Sequence, residues 1–520
     1  MKNEFLENAV FYEVYPTSFY DSNGDGVGDI KGITAKLDYI SSLGANGIWL
    51  NPCFESPFKD GGYDISDYYK IDKKFGSLND IKELFDEAKK RGIKILLDLV
   101  MGHTSIEHPW FTESQKHEKN PYSGTYIWKP LGNPAENKDG QFLSGLSERG
   151  EMFRINFYAM QPALNYGYYK PDKSWQDAID AEAPKANRQK LVDVCLYWLG
   201  MGAAGFRVDM ANYMIKNDRN GQGNIAFWND IIPRIKERYP ESIFVSEWFH
   251  PKRAVGKSSF DIDFSGGYFI YYTGIRGEPE SFSRNSYLGE NGKNFFIGIK
   301  KIFADMNAAK ARGYAAVTLG NHDRERMSLG RSFDAMKAAF AFHMTMPHVP
   351  FVYYGDEVGM SYQHIKSKDG GYGRTGSRTP MQWDNTKNRG FSTVDEDKLY
   401  LPVEADTQRC VGVQANDENS LLNTVKKLAA LKRNLTALRS SAPIKVISKN
   451  FSGNPFIYKR VGEKDEVITI LCPKKTPVTF GIKRIGDLKN YEIISNNMTF
   501  ENEKCTSEGE GFAVLYRYLK

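Results

Sequence analysis

The stretch DIKELFDEAKKRGIKILLDLV, residues 80–100, decides the fold prediction. Its first part has the charged, amphipathic pattern of a surface helix. Its second part, GIKILLDLV from Gly92, is a short and almost continuously apolar run. Such a run is typical of a parallel strand that is covered on both faces of its sheet. The stretch therefore predicts a helix followed by a buried parallel strand.

The same alternation recurs on both sides of this stretch. The other strand-like runs are AVFYEVYP from Ala9, GANGIWL from Gly44, AAGFRVDM from Ala203, SIFVSEW from Ser242, YAAVTLG from Tyr314 and VPFVYYG from Val349. Helix-like segments such as RQKLVDVCLYWLGM separate them. One more strand is expected between Trp248 and Tyr314, at FDIDF or at YFIYYTG. About eight strand–helix repeats predict the α/β class and a (β/α)8 TIM barrel.

Two regions interrupt or follow this alternation. Residues 104–166 are rich in Asn, Gly, Pro and Tyr, and a structureless loop of that length is improbable inside a compact domain. We therefore expect an inserted subdomain at 104–166, after the third strand, with the catalytic barrel formed by 1–103 and 167–442. Short alternating segments such as VITILC predict a C-terminal antiparallel β-sandwich domain at 443–520.

Composition excludes several function classes. The 520-residue chain carries a net charge of only +5, and its basic residues are dispersed, so no nucleic-acid partner is expected. No apolar run is long enough for a transmembrane helix, so no membrane partner is expected either. The five cysteines lack metal-ligand spacing, which favours free thiols in a reducing compartment and a cytoplasmic location. The oligomeric state stays open.

Charged side chains gather where the predicted strands end. In a barrel of this kind function collects at the carboxyl ends of the strands, on one rim. The residues predicted there are Asp98, His103, Arg207, Asp209, Glu247, His322 and Asp323. Cleaving a glycosidic bond with retention needs two carboxyl groups about 5–5.5 Å apart, one as nucleophile and one as acid. The rim therefore predicts a glycosidase more readily than a set of unrelated helix caps and ion pairs.

The spacing of the charges favours distinct tasks for the carboxyl groups. Arg207 lies two residues from Asp209, so both side chains point to the same side of a strand. A neighbouring guanidinium favours the ionised carboxylate that a nucleophile requires. Glu247 would be crowded by Asp209 and Asp323, and crowding by carboxylates raises the pKa of an acid.

Five segments carry a resemblance to a known family. They are, in order, GANGIWLNP, DLVMGHTS, GFRVDMAN, FVSEW and TLGNHDRER. The sequence resembles the α-amylase family of retaining glycoside hydrolases over nearly its whole length. The resemblance implies Asp209 as nucleophile, Glu247 as general acid/base and Asp323 as transition-state stabiliser. It also implies that the first glucose subsite is formed by Tyr63, Asp98, His103, Arg207 and His322.

Three further segments resemble the oligo-1,6-glucosidase and α-glucosidase branch: GGYDISDY from Gly61, QPALNY from Gln161 and RTPMQWD from Arg378. The branch implies that Asp64 and an arginine of RTGSR, Arg374 or Arg378, close the pocket around the non-reducing end. A closed pocket implies release of one terminal glucose from malto- or isomalto-oligosaccharides. In this branch the residue after the nucleophile is typically Val in α-1,6 enzymes and smaller in α-1,4 enzymes; Met210 fits neither pattern.

Alternative activities remain open on the same residues. A transglycosidase such as a trehalose synthase, or an endo-acting α-amylase with an open cleft, would share these motifs. A catalytically silent, transporter-associated relative would lack the catalytic carboxylates and carry a membrane helix. The intact Asp209, Glu247 and Asp323 argue against that last class.

The segment DSNGDGVGD, residues 21–29, predicts one structural calcium ion. Oxygen-bearing side chains at positions 1, 3, 5 and 9 and a carbonyl at position 7 suit Ca²⁺. Position 12 of a full EF-hand loop would be glutamate, and Gly32 stands there. A solvated acidic turn is the alternative. The resembling branch has the same loop, and this implies the ligands Asp21, Asn23, Asp25, Asp29 and the carbonyl of Val27.

Overall fold

The structure is a computed structural model that describes residues 3–132, 141–145, 147–265, 303–310, 312–448 and 455–519. Its strands are β1 (Phe11–Val14), β2 (Gly47–Leu50), β3 (Phe54–Glu55), β4 (Asp67–Ile71), β5 (Lys94–Leu99), β6 (Trp128–Pro130), β7 (Phe142–Leu143), β8 (Glu151–Arg154), β9 (Gly205–Val208), β10 (Ile243–Ser246), β11 (Ile262–Phe264), β12 (Tyr314–Thr318), β13 (Val349–Tyr353), β14 (Ile444–Val446), β15 (Phe456–Val461), β16 (Asp465–Cys472), β17 (Val478–Gly481), β18 (Glu492–Glu501) and β19 (Lys504–Tyr518). Its α-helices are α1 (Ile30–Ala35), α2 (Leu37–Ser42), α3 (Leu78–Lys90), α4 (Pro109–Ser114), α5 (Glu182–Met201), α6 (Gln222–Lys236), α7 (Pro251–Ala254), α8 (Phe333–Thr345), α9 (Val411–Gln414) and α10 (Leu421–Asn434).

Eight parallel strands close into a barrel in the order β1–β13–β12–β11–β10–β9–β5–β2. The ring closes where β1 pairs with β13, with Tyr12 opposite Val352, and β1 also pairs with β2. The predicted (β/α)8 barrel is confirmed. All strands run in one direction, so the residues that follow them meet on a single rim.

The deciding stretch forms the predicted helix and strand. Helix α3 begins behind a capping box, in which Ser77 and Asp80 satisfy each other's backbone N–H groups. Its buried face includes Ile81, Leu84 and Phe85. Gly92 follows the helix with a φ of 68°, a left-handed conformation that glycine adopts without strain, and the chain turns there into β5.

The strand that the sequence leaves unassigned is β11, within FDIDF. It pairs with β10 on one side and with β12 on the other, which completes the ring. The alternative segment YFIYYTG lies outside the described residues.

The inserted region contains a three-stranded antiparallel sheet in the order β6–β8–β7. It also contains the short helix α4, which the sequence analysis did not predict. Pro109 occupies the first turn of this helix, and the His108 ring accepts a hydrogen bond from the backbone N–H of Trp110. The boundaries 104–166 stay a prediction, since a sheet within the segment does not fix its ends.

The C-terminal strands form one antiparallel sheet, β14–β15–β16–β19–β17, with β18 also paired to β19. The long strand β19 pairs with β16 near its end and with β17 near its start. An antiparallel C-terminal sheet is thus confirmed, while its description as a sandwich over 443–520 stays a prediction.

All five cysteines are free and buried. Within the described ranges, no helix is long and apolar enough to cross a membrane.

Candidate active site

Arg207 lies at the centre of the charged rim. It belongs to β9 and is 2% exposed. Its Nη1 lies 2.9 Å from Asp98 Oδ1 and 3.1 Å from Asp209 Oδ1, and its Nη2 lies 2.8 Å from Glu247 Oε2. One guanidinium therefore joins the ends of three barrel strands, and Asp209 and Glu247 both contact it.

The turn after β9 fixes Glu247. Met210 follows Asp209 with a φ of 44°, a left-handed conformation that is uncommon for a residue with a side chain. This turn directs the Met210 backbone N–H to Glu247 Oε2, at 3.0 Å. The strained position thus serves the geometry of the site, because it ties the end of β9 to the residue that follows β10.

Both carboxyl groups are electrostatically perturbed. Burial raises the pKa of Asp209 well above its usual range, the Glu247 carboxylate raises it further, and Arg207 opposes both effects. Burial also raises the pKa of Glu247, again against the attraction of Arg207. Two carboxyl groups beside one guanidinium titrate as a pair, and this pair keeps a proton at a higher pH than isolated carboxyl groups do.

Asp323 is held ionised by its neighbours. Burial would raise its pKa, but His322, Arg378 and Arg374 together lower it below the usual range of an aspartate. Its Oδ1 accepts hydrogen bonds from Arg374 Nη1 at 3.2 Å and Arg378 Nη2 at 3.1 Å. Asp323 can therefore present a permanent negative charge to a developing cation.

Of the predicted sugar-binding residues, Tyr63 and His103 line the pocket of this site, whereas Asp98 and His322 contact the Tyr63 hydroxyl group. Tyr63 donates its hydroxyl proton to Asp98 Oδ2, at 2.9 Å, or to His322 Nε2, at 2.7 Å. His103 Nε2 lies 3.0 Å from the Tyr63 carbonyl, and Asn156 donates to its Nδ1 at 3.0 Å, which defines a neutral ring. Burial lowers the pKa of His103 to about 4, in agreement with that state.

The structure does not bring Asp64 to the pocket. Its carboxylate accepts hydrogen bonds from the backbone N–H groups of Lys59 and Asp60, and it is fully buried. The pairing that the sequence analysis expected between Asp64 and the RTGSR segment is wrong in this structure, because the side chain turns inward to hold its own loop.

Asp60 takes the place expected for Asp64. Its Oδ1 lies 2.7 Å from Arg374 Nη2, and its Oδ2 accepts from Gln161 Nε2 at 2.8 Å. Of the two arginines considered, Arg374 contacts both Asp60 and Asp323, whereas Arg378 contacts Asp323 and the His322 carbonyl. Asp60 was not predicted from the sequence. The one feature that could have indicated it is its position directly before the glycine pair that starts at Gly61.

A pocket of about 490 Å³, including its open mouth, connects these groups. The lining residues are Asp60, Tyr63, His103, Phe157, Asp209, Met210, Glu247, Asp323 and Arg374. Phe157, half of which is exposed, was not predicted, because it lies in the inserted region, where the sequence shows no periodicity.

Two carboxylates of the predicted calcium loop accept hydrogen bonds from nearby backbone N–H groups. Asp21 accepts the N–H groups of Asn23, Gly24 and Gly26, and Asp29 accepts that of Gly32 at the start of α1. In the described part of the chain, no group of three or more His, Cys, Asp or Glu side chains is arranged to hold a metal ion. The predicted site with Asp25 and the Val27 carbonyl stays a prediction.

Comparisons with known proteins agree with this geometry. The family described as alpha amylase, catalytic domain, matches residues 13–441. An oligo-1,6-glucosidase of Parageobacillus thermoglucosidasius is 30% identical over an alignment 543 positions long that covers 92% of each protein. A trehalose synthase/amylase of Mycobacterium tuberculosis is 29% identical over 514 residues, covering 90% of this chain and 81% of the relative.

Among solved structures, the trehalulose synthase of Pseudomonas mesoacidophila has the same fold, with a TM-score of 0.80, 23% identity and coverage of 98% of this chain and 99% of that one. The family match spans most of the chain, and the rim places Asp209, Glu247 and Asp323 around one pocket. The chain therefore belongs to the α-amylase family of glycoside hydrolases.

Proposed function

We propose that this enzyme hydrolyses short α-glucosides with retention and releases glucose from the non-reducing end. In the first step, Asp209 Oδ attacks the anomeric carbon while the carboxyl proton of Glu247 passes to the leaving glycosidic oxygen. The C1–O bond breaks, the shortened sugar leaves as an alcohol, and a glucosyl ester of Asp209 forms. The contact of both carboxyl groups with one guanidinium supports this pair, because a retaining site needs its carboxyl groups close together.

The second step restores the enzyme. Glu247, now a carboxylate, removes a proton from water, and the resulting oxygen nucleophile attacks C1 of the glucosyl ester. The ester bond breaks, Asp209 leaves as a carboxylate, and glucose is released with its original configuration. Asp323, held ionised by two arginines, opposes the positive charge that develops on the sugar in both transition states.

The observation that carries the exo assignment is the ion pair between Asp60 and Arg374. It joins a buried carboxylate to the guanidinium that also contacts Asp323, within the lining of the pocket. A charged pair of this kind binds sugar hydroxyl groups through several directional hydrogen bonds. We expect it also to block the passage of a longer chain, so that the pocket accepts one terminal glucose.

An early time point on a seven-unit maltodextrin tests this proposal. We expect glucose and the six-unit chain as first products, separated by chromatography, and proton NMR should detect glucose first as its α anomer. A spread of mid-length fragments would favour an endo-acting amylase with an open cleft. Early β-glucose would contradict the retaining mechanism.

A second candidate is transfer of the glucosyl group to a sugar hydroxyl. It is favoured by the relatives that are named trehalose synthase and, among solved structures, trehalulose synthase. The chemistry differs only in the acceptor of the second step. Incubating maltose, isomaltose, trehalose and sucrose separately decides between the two: an isomeric disaccharide formed before free glucose accumulates would identify a transferase.

A further inference from the structure

A buried carboxyl group lies behind the rim, directly against one of its histidines. Glu13 belongs to β1 and His322 follows β12; neither side chain is more than 1% exposed. Glu13 Oε1 lies 2.6 Å from His322 Nδ1 and accepts a hydrogen bond from Asn51 Nδ2 at 3.2 Å. Neither Glu13 nor His322 lines the pocket, so any role of Glu13 in the reaction must pass through His322 to the pocket-lining residues Tyr63 and Asp323.

The first proton of this pair lies between Glu13 and Nδ1. An oxygen and a nitrogen that are 2.6 Å apart must share a hydrogen, because two lone pairs facing each other at that distance would repel. The hydrogen can belong to the carboxyl group or to the ring.

The second proton follows from the partners of Tyr63. Asp98 accepts from Arg207 Nη1 at 2.9 Å and from Trp49 Nε1 at 3.0 Å, so it is an ionised acceptor. The single hydroxyl proton of Tyr63 satisfies Asp98 at 2.9 Å, which leaves the Tyr63 oxygen facing His322 Nε2 at 2.7 Å. That contact is attractive only if Nε2 also carries a hydrogen.

A third acceptor leads to the same assignment. Asp323 Oδ2 lies 3.3 Å from His322 Nε2, on the side of the pocket. A bare Nε2 would face both this carboxylate and the Tyr63 oxygen with its lone pair, whereas an N–H satisfies them.

We infer that Glu13 and His322 together hold two protons and no net charge, and that Glu13 is the positioning residue that keeps an Nε2–H donor directed at Tyr63 and Asp323 in the pocket wall. The Oε2 atom of Glu13 is buried and has no hydrogen-bond partner among the described residues, which suits an uncharged carboxyl group. Burial raises the pKa of Glu13 and lowers that of His322 to about 3, and both shifts favour the shared proton on Glu13.

The surroundings of the pair explain why its charge matters. The other charged groups that influence Glu13 are Arg207 and Asp323, and those that influence His322 are Asp323, Arg378, Arg207 and Arg374. Loss of the shared proton would add a negative charge near Asp323 and would remove the Nε2–H donor. The consequence for catalysis rests on the proposed function, whereas the protonation state of the ring does not.

Nitrogen NMR of protein labelled with ¹⁵N-histidine tests the protonation state directly. His322 is assigned by the signal that disappears in His322→Asn. We expect a proton on Nε2 in the wild type at neutral pH, and also in Glu13→Gln, whose amide can donate to Nδ1. A neutral ring with its proton on Nδ1 and a bare Nε2 would overturn the inference, whatever the enzyme's activity.

Kinetics separate positioning from mere packing. We expect the kcat/KM of Glu13→Ala to be about tenfold or more lower than that of Glu13→Gln. Only the glutamine amide can replace the carboxyl group as a hydrogen-bond donor to Nδ1. Glu357→Gln is the matched control: Glu357 is also a fully buried carboxyl group, but its partners are Tyr12 and Tyr39, away from the pocket. Equal losses in Glu13→Gln and Glu13→Ala, at equal melting temperatures, would contradict a role in proton placement.

Discussion

At the scale of single residues, Asp209 and Glu247 share one guanidinium, yet the proposed mechanism gives them opposite tasks. The division follows from the proposed chemistry, in which Asp209 attacks C1 and Glu247 transfers the proton. Their surroundings differ as well. The Asp209 side chain is 11% exposed and contacts Arg207. The Glu247 side chain is 20% exposed, contacts Arg207 and also accepts a hydrogen bond from the Met210 backbone N–H. Substitutions that remove each carboxyl group should therefore fail in different ways.

Azide rescue distinguishes the two carboxyl groups. Asp209→Ala should lower turnover roughly a thousandfold or more, because no glucosyl ester can form. With α-glucosyl fluoride and azide, this variant should give β-glucosyl azide by direct attack from the vacated side. Glu247→Ala still forms the ester, so azide should give the α product; exchanged stereochemistry would reverse our assignment.

Neighbouring aspartates provide a second test at this scale. Asp60→Asn should raise KM on disaccharides about tenfold or more, because the charge-assisted contact with Arg374 is lost, while the melting temperature changes little. Asp64→Asn should lower the melting temperature, because an amide nitrogen then faces backbone N–H groups that the carboxylate accepts. The reverse pattern would support the original expectation for Asp64.

At the scale of elements, the rim was predictable and the loops were not. Asp98, Arg207 and Glu247 follow from strand ends alone, because a closed barrel brings those ends together whatever the connecting loops do. The choice between Asp60 and Asp64 depends on the backbone path of one loop. There Gly61 has a φ of 59°, and a side chain on it would collide with Arg378, 2.6 Å away. Sequence periodicity carries no information on such a path.

The loop 21–29 makes a prediction of its own. If it binds the calcium ion that its spacing predicts, chelation should lower the melting temperature by mass action on the native state, with little effect on initial rates at low temperature. Asp25→Ala should remove the response to chelator, whereas Asp397→Ala, an exposed residue outside the loop, should keep it. A melting temperature that neither chelator nor Asp25→Ala changes would favour a solvated acidic turn.

At the scale of the whole molecule, buried histidines affect how stability depends on pH. Burial lowers the pKa of His343 to about 3, against about 6.5 in an unfolded chain. The unfolded state therefore binds a proton that the native state does not. As the pH falls below about 6.5, this difference lowers the free energy of unfolding. Buried Asp263 and Asp356, whose pKa values burial raises to about 7, act in the opposite direction.

Because these effects oppose each other, a difference measurement is needed. His343→Gln keeps a donor for the Phe351 carbonyl but cannot be protonated. We expect its melting temperature, relative to the wild type, to rise steadily as the pH is lowered from 7.5 to 5. His364→Gln, at an exposed position, should run parallel to the wild type. A difference in melting temperature between His343→Gln and the wild type that stays constant with pH would show that protonation of His343 does not affect stability in this range.

The pairing of β1 with β13 has a consequence for biosynthesis. Residues 11–14 leave the ribosome early, but their neighbours at 349–353 emerge more than 300 residues later. At about 5–20 residues per second, this delay lasts some tens of seconds, during which one edge of the growing sheet stays unpaired. Glu13 lies on that edge. Until His322 has been translated, the nascent chain must therefore keep the Glu13 carboxyl group from pairing with other polar groups.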